Sequence, residues 1–170
     1  MTEAMTWLGE QPDTLFLGQG VGCSGTKLSG SFEGVPAEKL LEMPVAEQLQ
    51  LGISIGLSLE GFVPISVFPR LNFLLCAMDM LVNHLDKLPL YSDYRPKVII
   101  RTAVGSKKPL DAGPQHTGDF SRSLAGMLNT VKVQRLHLSG RVNSGTELRS
   151  PLEVFQDAYA RPESTLIVEG

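Results

Sequence analysis

The chain has 170 residues, of which 42% are hydrophobic, and this content is enough for the core of one compact domain. Its 15 basic and 18 acidic residues give a net charge of -3 without a basic stripe, so we expect no nucleic-acid-binding or anionic-membrane surface. Because residues 1–12 lack a signal-peptide pattern and no apolar run reaches the length of about 18 residues that a membrane span needs, we expect a cytoplasmic protein.

Two further features of the composition concern cysteine and charge. Cys23 and Cys76 are too few for a disulfide framework or a zinc ribbon. Cys76 lies in an apolar run, which is typical of an inert packing residue. Charged residues make up only 19% of the chain, and this low share indicates that another chain covers part of the surface.

Short apolar runs alternate with helical periodicity along the chain. Strands separated by helices of this length need crossover connections, so the pattern predicts an α/β fold with a mainly parallel sheet and helices on both faces. Ligands of such sheets bind at the carboxyl ends of the strands. The predicted strands are residues 14–17, 62–67, 97–101, 131–136 and 165–168. The predicted helices are residues 45–59, 71–85, 118–128 and 151–160. The loops to search are residues 18–34, 68–72, 102–118 and 139–149.

A glycine motif, GVGCSG at residues 20–25, follows the first predicted strand and fits the dinucleotide pattern G-x-G-x-x-G. A dinucleotide site needs a helix directly after this turn, because the free N–H groups of the helix hold the pyrophosphate. The sequence TKLSGS that follows shows little helical period, and the order of Gly25, Thr26 and Lys27 does not match a phosphate loop. We therefore favour a loop with a permissive backbone and keep a small nucleotide binder only as a third alternative.

Several segments occur together in an order that resembles a known domain. They are TLFLGQGV at 14–21, MPVAE at 43–47, GFVP at 61–64, NF at 72–73, AMD at 77–79, KVIIR at 97–101 and GPQH at 113–116. In this order and spacing they resemble the pyrimidine-binding domain of thiamin-diphosphate enzymes, most closely the beta subunit of 2-oxoacid dehydrogenases and, less closely, transketolase. The resemblance covers nearly the whole chain.

The resemblance implies that Glu47 is the catalytic and cofactor-binding carboxylate. In the family this glutamate hydrogen-bonds a pyrimidine nitrogen of thiamin diphosphate and favours the imino tautomer that removes the thiazolium proton. Such a role needs a carboxyl group that is shielded from water and shares a proton. Without the resemblance, Glu47 after Pro44 is simply an acid in the first turn of a helix.

The resemblance also assigns an aromatic ring and a histidine. Phe73 stands where the family places a ring against the aminopyrimidine, and a core phenylalanine is the alternative interpretation. His116 matches the histidine that faces the substrate, where it would be catalytic by holding oxyanion charge or relaying a proton. His84 and His137 match no role, and Arg101, at the end of its predicted strand, is expected to support the loop by a bidentate contact to a carboxylate.

The chain departs from the family in three ways. Gln19 replaces an acid beside the cofactor, and Leu71 replaces one of two neighbouring aromatic residues. The chain lacks a Gly-Asp-Gly segment with a following asparagine, so we expect no metal ligand of its own and magnesium held mainly by a partner. We therefore expect residues 1–170 to form a single pyrimidine-binding domain, with the diphosphate-binding and C-terminal domains absent from this chain.

Together these features predict a subunit of a split thiamin-diphosphate enzyme, either transketolase-like or of the 2-oxoacid dehydrogenase type. It would work as a hetero-oligomer with a diphosphate-binding subunit, would also self-associate, and would act on a ketose or 2-oxoacid substrate. Candidate substrate cations are Lys107, Lys108 and Arg122. A non-catalytic partner that keeps the fold is the alternative, which Gln19 and Leu71 favour.

Overall fold

The computed structural model of the chain describes residues 1–106, 111–137 and 149–170. The strands in these ranges are β1 Thr14–Gly18, β2 Leu40–Glu42, β3 Val63–Phe68, β4 Ile99–Ala103, β5 Lys132–Leu136 and β6 Thr165–Glu169. The helices are α1 Thr2–Glu10, α2 Lys27–Gly30, α3 Glu47–Leu59, α4 Leu71–Leu74, α5 Leu88–Tyr91, α6 Ser121–Met127 and α7 Pro151–Ala160. Short 3₁₀ turns cover Ala37–Lys39 and Leu75–Ala77, and a π-helical stretch covers Met80–Leu85.

The six strands form one sheet in the order β2-β1-β3-β4-β6-β5, and every described pair is parallel. Strands β3 and β6 are buried along their whole length, as expected for strands that are covered on both faces. The predicted α/β class with a mainly parallel sheet is therefore confirmed.

Helices cover both faces of the sheet. On one face α1 and α7 contact each other and bury Met5, Leu8 and Phe155 against the sheet. On the other face α3, the segment 71–85 and α6 enclose a second core that includes Leu51, Leu81 and Leu124. Among the described residues no helix is both long and apolar enough to cross a membrane.

The elements differ from the prediction in several places, and the short helices α2 and α5 were not predicted. The sequence analysis missed α1 and the edge strand β2, which has only three residues, none of them buried. The helix predicted at 71–85 is wrong as a single element, because it consists of α4, a 3₁₀ turn and the π-helical stretch. The backbone amide of Asp86 donates to the carbonyl of Leu81, five residues earlier, which is the hydrogen bond that defines the π-helical winding.

Candidate active site

Glu47 is the first residue of α3 and lies at the edge of the sheet where the parallel strands end. Its side chain is largely buried, with the residue 9% exposed. Gln19, directly after β1, donates from Nε2 to Oε1 of Glu47 at 3.2 Å. Within the described residues Oε2 of Glu47 has no hydrogen-bond partner, so one oxygen is held and the other is available to a ligand.

Gln50 fixes the start of α3 against the sheet, and the sequence analysis missed this residue. It is completely buried one helical turn after Glu47. Its Nε2 lies 3.0 Å from the carbonyl oxygen of Val67, 3.1 Å from Oγ of Ser66 and 3.3 Å from the carbonyl oxygen of Leu17. Since these acceptors belong to the ends of β1 and β3, Gln50 sets the position of Glu47 relative to both strands.

Phe73 and His116 meet at the same edge of the sheet. Their ring centroids are 5.4 Å apart and their planes are inclined by 78°, an edge-to-face contact. Nδ1 of His116 and Oδ1 of Asn72 are buried atoms that have no hydrogen-bond partner among the described residues. Buried polar atoms are normally satisfied, so each of these two atoms is a candidate for a hydrogen bond with a ligand or water. The backbone here is tightly packed, since a Cβ on Gly105 would lie 2.0 Å from the carbonyl oxygen of His116.

The glycine loop at residues 20–25 is closed by a carboxylate of the protein itself. The amides of Gly20 and Gly22 both donate to Glu42 at 2.7 Å. A short helix, α2, does follow the loop, contrary to expectation, but its first turn is capped by Thr26 in a capping box with Ser29. These amides and this helix start are therefore already bound within the chain, which argues against phosphate binding by the loop.

Arg101 lies in the middle of β4 rather than at its end, because the strand begins two residues later than predicted. It is 3% exposed. Its Nε donates to Oε1 of Glu169 at 2.6 Å, and its Nη1 donates to Oγ of Ser31 at 2.7 Å. The predicted bidentate contact is wrong, because the guanidinium divides its bonds between a carboxylate and a hydroxyl group. The link to Ser31 nevertheless anchors the segment that follows the glycine loop.

A shallow groove of about 680 Å³ runs beside Glu47, between α3 and the segment 71–85. Leu49 and Ile53 line it from α3 and are 54% and 38% exposed, and Cys76 and Met80 line it from the other side. The interpretation of Cys76 as a core packing residue is wrong, because its thiol is exposed at this groove. Gln48 and Gly52 are also in the lining, so the surface next to Glu47 is mostly apolar and uncharged.

Comparison with known proteins supports the resemblance that the ordered motifs indicate. No protein-family profile matches the chain. A "Pyruvate dehydrogenase E1 component subunit beta" from Staurastrum punctulatum is 24% identical over 155 residues, which cover 88% of this chain and 47% of that protein. The protein of the same name from Chaetosphaeridium globosum is 28% identical over 151 residues, covering 85% and 46%. The chain thus spans about half the length of the curated relatives it matches.

A solved structure identifies the fold. The match is a "Split gene transketolase, inactive beta4 tetramer", with a TM-score of 0.72 at 19% identity over 98% of this chain and 48% of that one. The chain has the fold of a transketolase-type pyrimidine-binding domain. The predicted resemblance is therefore confirmed at the level of the fold and of detectable sequence similarity.

The remaining candidate residues of the pyrimidine-binding domain are dispersed. Leu71 is completely buried in the core and offers no face to a ligand. His84 is exposed and lies 3.5 Å from Asp79, and His137 and Arg122 are exposed as well. Lys107 and Lys108 lie outside the described residues. Among the described residues no three His, Cys, Asp or Glu side chains form a group that could hold a metal ion.

Proposed function

We propose that this chain is the pyrimidine-domain subunit of a split thiamin-diphosphate enzyme and that Glu47 activates the cofactor. The observation that carries the proposal is the largely buried Glu47 carboxyl group, which has Oε1 held by Gln19 and Oε2 unpaired. When bound, thiamin diphosphate supplies the nucleophile and the electron sink for cleaving a carbon–carbon bond beside a carbonyl group.

Glu47 can hold a proton at Oε2 and share it with a ring nitrogen of the cofactor. Removal from water favours the neutral form of a carboxyl group, and the neutral form is the one that can donate. Gln19 is suited to this role because its amide donates a hydrogen bond without adding a second negative charge. Gln50 then keeps the helix start in place, so that proton sharing needs no movement of α3.

Phe73 and His116 provide the second part of the proposed site. The Phe73 ring offers a flat apolar face for the aminopyrimidine, and its edge-to-face contact with His116 fixes both rings. His116 Nδ1 and Asn72 Oδ1 give the site two polar atoms that lack a partner in the described part of the chain. His116 would hold negative charge or relay a proton at the substrate end of the site. The residues present therefore fit the aminopyrimidine half of the cofactor.

The diphosphate and its magnesium ion would be held mainly by a partner subunit. The apolar groove beside Glu47 supports this proposal, because Leu49, Ile53 and the preceding Val45, which is 80% exposed, present an unpartnered apolar surface next to the catalytic carboxylate. A partner on this surface would remove Glu47 from the remaining water. We propose a hetero-oligomer in which this contact completes the site, and a ketose or 2-oxoacid as substrate.

A non-catalytic subunit is the second candidate. The burial of Leu71 favours it, because the stacking surface is then limited to Phe73. The two candidates differ in whether turnover by the complex depends on Glu47. The catalytic role requires this dependence, whereas a subunit that only supports assembly tolerates a neutral side chain at that position.

The test is the substitution Glu47→Gln, assayed in the complex with the diphosphate-binding subunit. We expect a loss of turnover of about 10²-fold or more, the scale of a lost proton-transfer group. The matched control is Glu60→Gln, which neutralises an exposed acid at the other end of α3. Thermal unfolding and co-purification verify that both variants fold and assemble. Unchanged turnover in an assembled Glu47→Gln complex would leave only the non-catalytic function.

A further inference from the structure

A second concave surface lies at the opposite end of the sheet from Glu47. This amino-end groove has a volume of about 1040 Å³ and is bounded by α5, the segment before β4, the turn before β5 and the connection between α7 and β6. It lies where β4, β5 and β6 begin, whereas the proposed cofactor site lies where β1 and β3 end. The proposed thiamin-diphosphate chemistry therefore does not account for the groove.

Hydrogen bonds hold the walls of the amino-end groove in place. The buried Asp86 accepts from the amides of Asn129 and Thr130 at 2.7 Å each, which fixes the turn before β5. Ser164 donates from Oγ to the carbonyl oxygen of Pro96 at 2.7 Å and so joins the segment before β6 to the segment before β4. Because these contacts lie within the chain itself, they support the shape of the groove.

The lining of the amino-end groove combines positive charge with apolar surface. Its ionisable side chains are three cations, Arg95, Lys132 and Arg161, and one acid, Glu163. Arg161 lies 3.6 Å from Asp157, but Lys132 has no ion-pair partner among the described residues. The groove is thus positive on a chain whose net charge is -3. Such a lining is complementary to a carboxylate-bearing occupant.

Exposed apolar side chains lie in and next to the lining residues in the chain. Leu90, which is itself a lining residue, is 61% exposed, and Tyr91 and Tyr94, which are next to Leu90 and Arg95 in the chain, are 66% and 58% exposed. Tyrosine and arginine are enriched in protein–protein contacts, and small-molecule sites normally enclose most of their ligand. An occupant that also covers these three side chains must be more extended than a small molecule.

We propose that the amino-end groove binds an acidic peptide segment of a partner protein. Carboxylates of the segment would lie against Lys132, Arg95 and Arg161, and its apolar side chains would cover Leu90 and the two tyrosines. In this mode of recognition, a cluster of cationic side chains binds an acidic motif. It is independent of Glu47 and of the proposed cofactor.

The test uses the 170-residue chain labelled with ¹⁵N and a random copolymer of glutamate and tyrosine as the probe. We expect amide shifts at Leu90, Lys132 and Ser164 and no shifts at Gln19 or Phe73. The double variant Arg95→Glu/Lys132→Glu should bind the copolymer about tenfold more weakly, as expected from the loss of two partly exposed charge contacts. Lys27→Glu/Arg122→Glu, a double charge reversal at exposed positions outside the groove, changes the net charge equally and is the matched control.

Three results would overturn the proposal. Shifts at Gln19 and Phe73 in place of the groove amides would place the probe at the other end of the sheet. An equal loss of affinity in Lys27→Glu/Arg122→Glu would mean that only net charge matters. Saturation of the same groove amides by inorganic phosphate or free glutamate, at affinities equal to that of the copolymer, would indicate a small-anion site. If the double reversal does not fold, Arg95→Gln/Lys132→Gln serves the same comparison.

Discussion

Replacing Asp86 tests whether one buried carboxylate holds the turn before β5 in place. The side chain is completely buried. Its Oδ1 accepts from the backbone amides of Asn129, Thr130 and Val131 at 2.7, 2.7 and 3.0 Å, and its Oδ2 accepts from Lys87 Nζ at 2.8 Å. Alanine at this position would leave three backbone donors without an acceptor.

The expected cost follows from the number of these bonds. A hydrogen bond to a charged group contributes about 1.5–3 kcal/mol net, but the turn at residues 129–130 is partly exposed, so water can replace some of the lost acceptors. We therefore expect Asp86→Ala to lower the free energy of unfolding by about 3–5 kcal/mol. Asp86→Asn keeps an oxygen for the amides and loses only the charge, so we expect a loss of about 1–2 kcal/mol.

Acidification provides an independent check on this reasoning. Burial by itself would raise the pKa of Asp86, but hydrogen bonds from Lys87 and from the amides of Val131 and Thr130 outweigh burial and hold the pKa well below its usual range. The folded state therefore binds this proton more weakly than the unfolded state. The resulting stabilisation is fully present above the unfolded pKa of about 3.9 and is lost as the pH falls from there toward the folded-state pKa.

Urea unfolding followed by circular dichroism at pH 7 and at about pH 3 measures both effects. The difference in unfolding free energy between the original chain and Asp86→Asn should narrow at the lower pH, because only the original chain loses the charged contact. Asp93→Asn, at an exposed position nearby in the chain, is the control. A difference that stays the same at both pH values, or a cost of Asp86→Ala under about 1 kcal/mol, would refute the assigned role.

Three further substitutions address the site and its support. Gln50→Leu should lower kcat of the complex more than it changes KM, with a stability loss of about 1–2 kcal/mol, because it releases the start of α3 from the sheet. Gln19→Glu should move the alkaline limb of the pH–rate profile to higher pH, because a second carboxylate beside Glu47 disfavours ionisation of both groups and so favours the neutral form that can donate. Arg101→Met should cost about 3–5 kcal/mol in thermal or urea unfolding by leaving Glu169 buried without its cation, and Arg101→Met/Glu169→Leu should recover most of the loss.

The sequence was sufficient to predict most of the sheet, because its buried strands consist largely of apolar residues. Strands such as β3 and β6 read as short apolar runs between polar or glycine-containing segments, and the predicted bounds differ from the observed ones by one or two residues. Strand β2 could not be found in this way, because a three-residue edge strand without a buried residue has no apolar run. The break in the segment 71–85 could not be predicted either, because an apolar side-chain pattern does not distinguish α-helical, 3₁₀ and π-helical turns. These turns differ in their backbone hydrogen bonds.

The candidate site was predictable only where the ordered motifs assigned a residue. Glu47, Phe73 and His116 came from the resemblance, and the structure places the last two in contact, which periodicity alone does not indicate. The role of Gln50 depends on backbone acceptors from two strands far away in the chain. A signal was nevertheless present, because helical spacing from Glu47 places Gln50 and then Ser54 on the same face of α3.

Helix α3 buries polar side chains together with apolar ones and leaves two further apolar side chains exposed beside Glu47. Glu47, Gln50 and Ser54 are buried toward the sheet. Leu49 and Ile53, at helical spacing on another face, remain exposed. An amphipathic helix on an isolated domain turns its apolar stripe toward the core. In α3 Leu51 and Ile55 follow this rule and pack in the core, whereas Leu49 and Ile53 face outward beside Glu47. A partner surface that covers these two side chains would bury the helix on both sides and complete the environment that the proposed role of Glu47 needs.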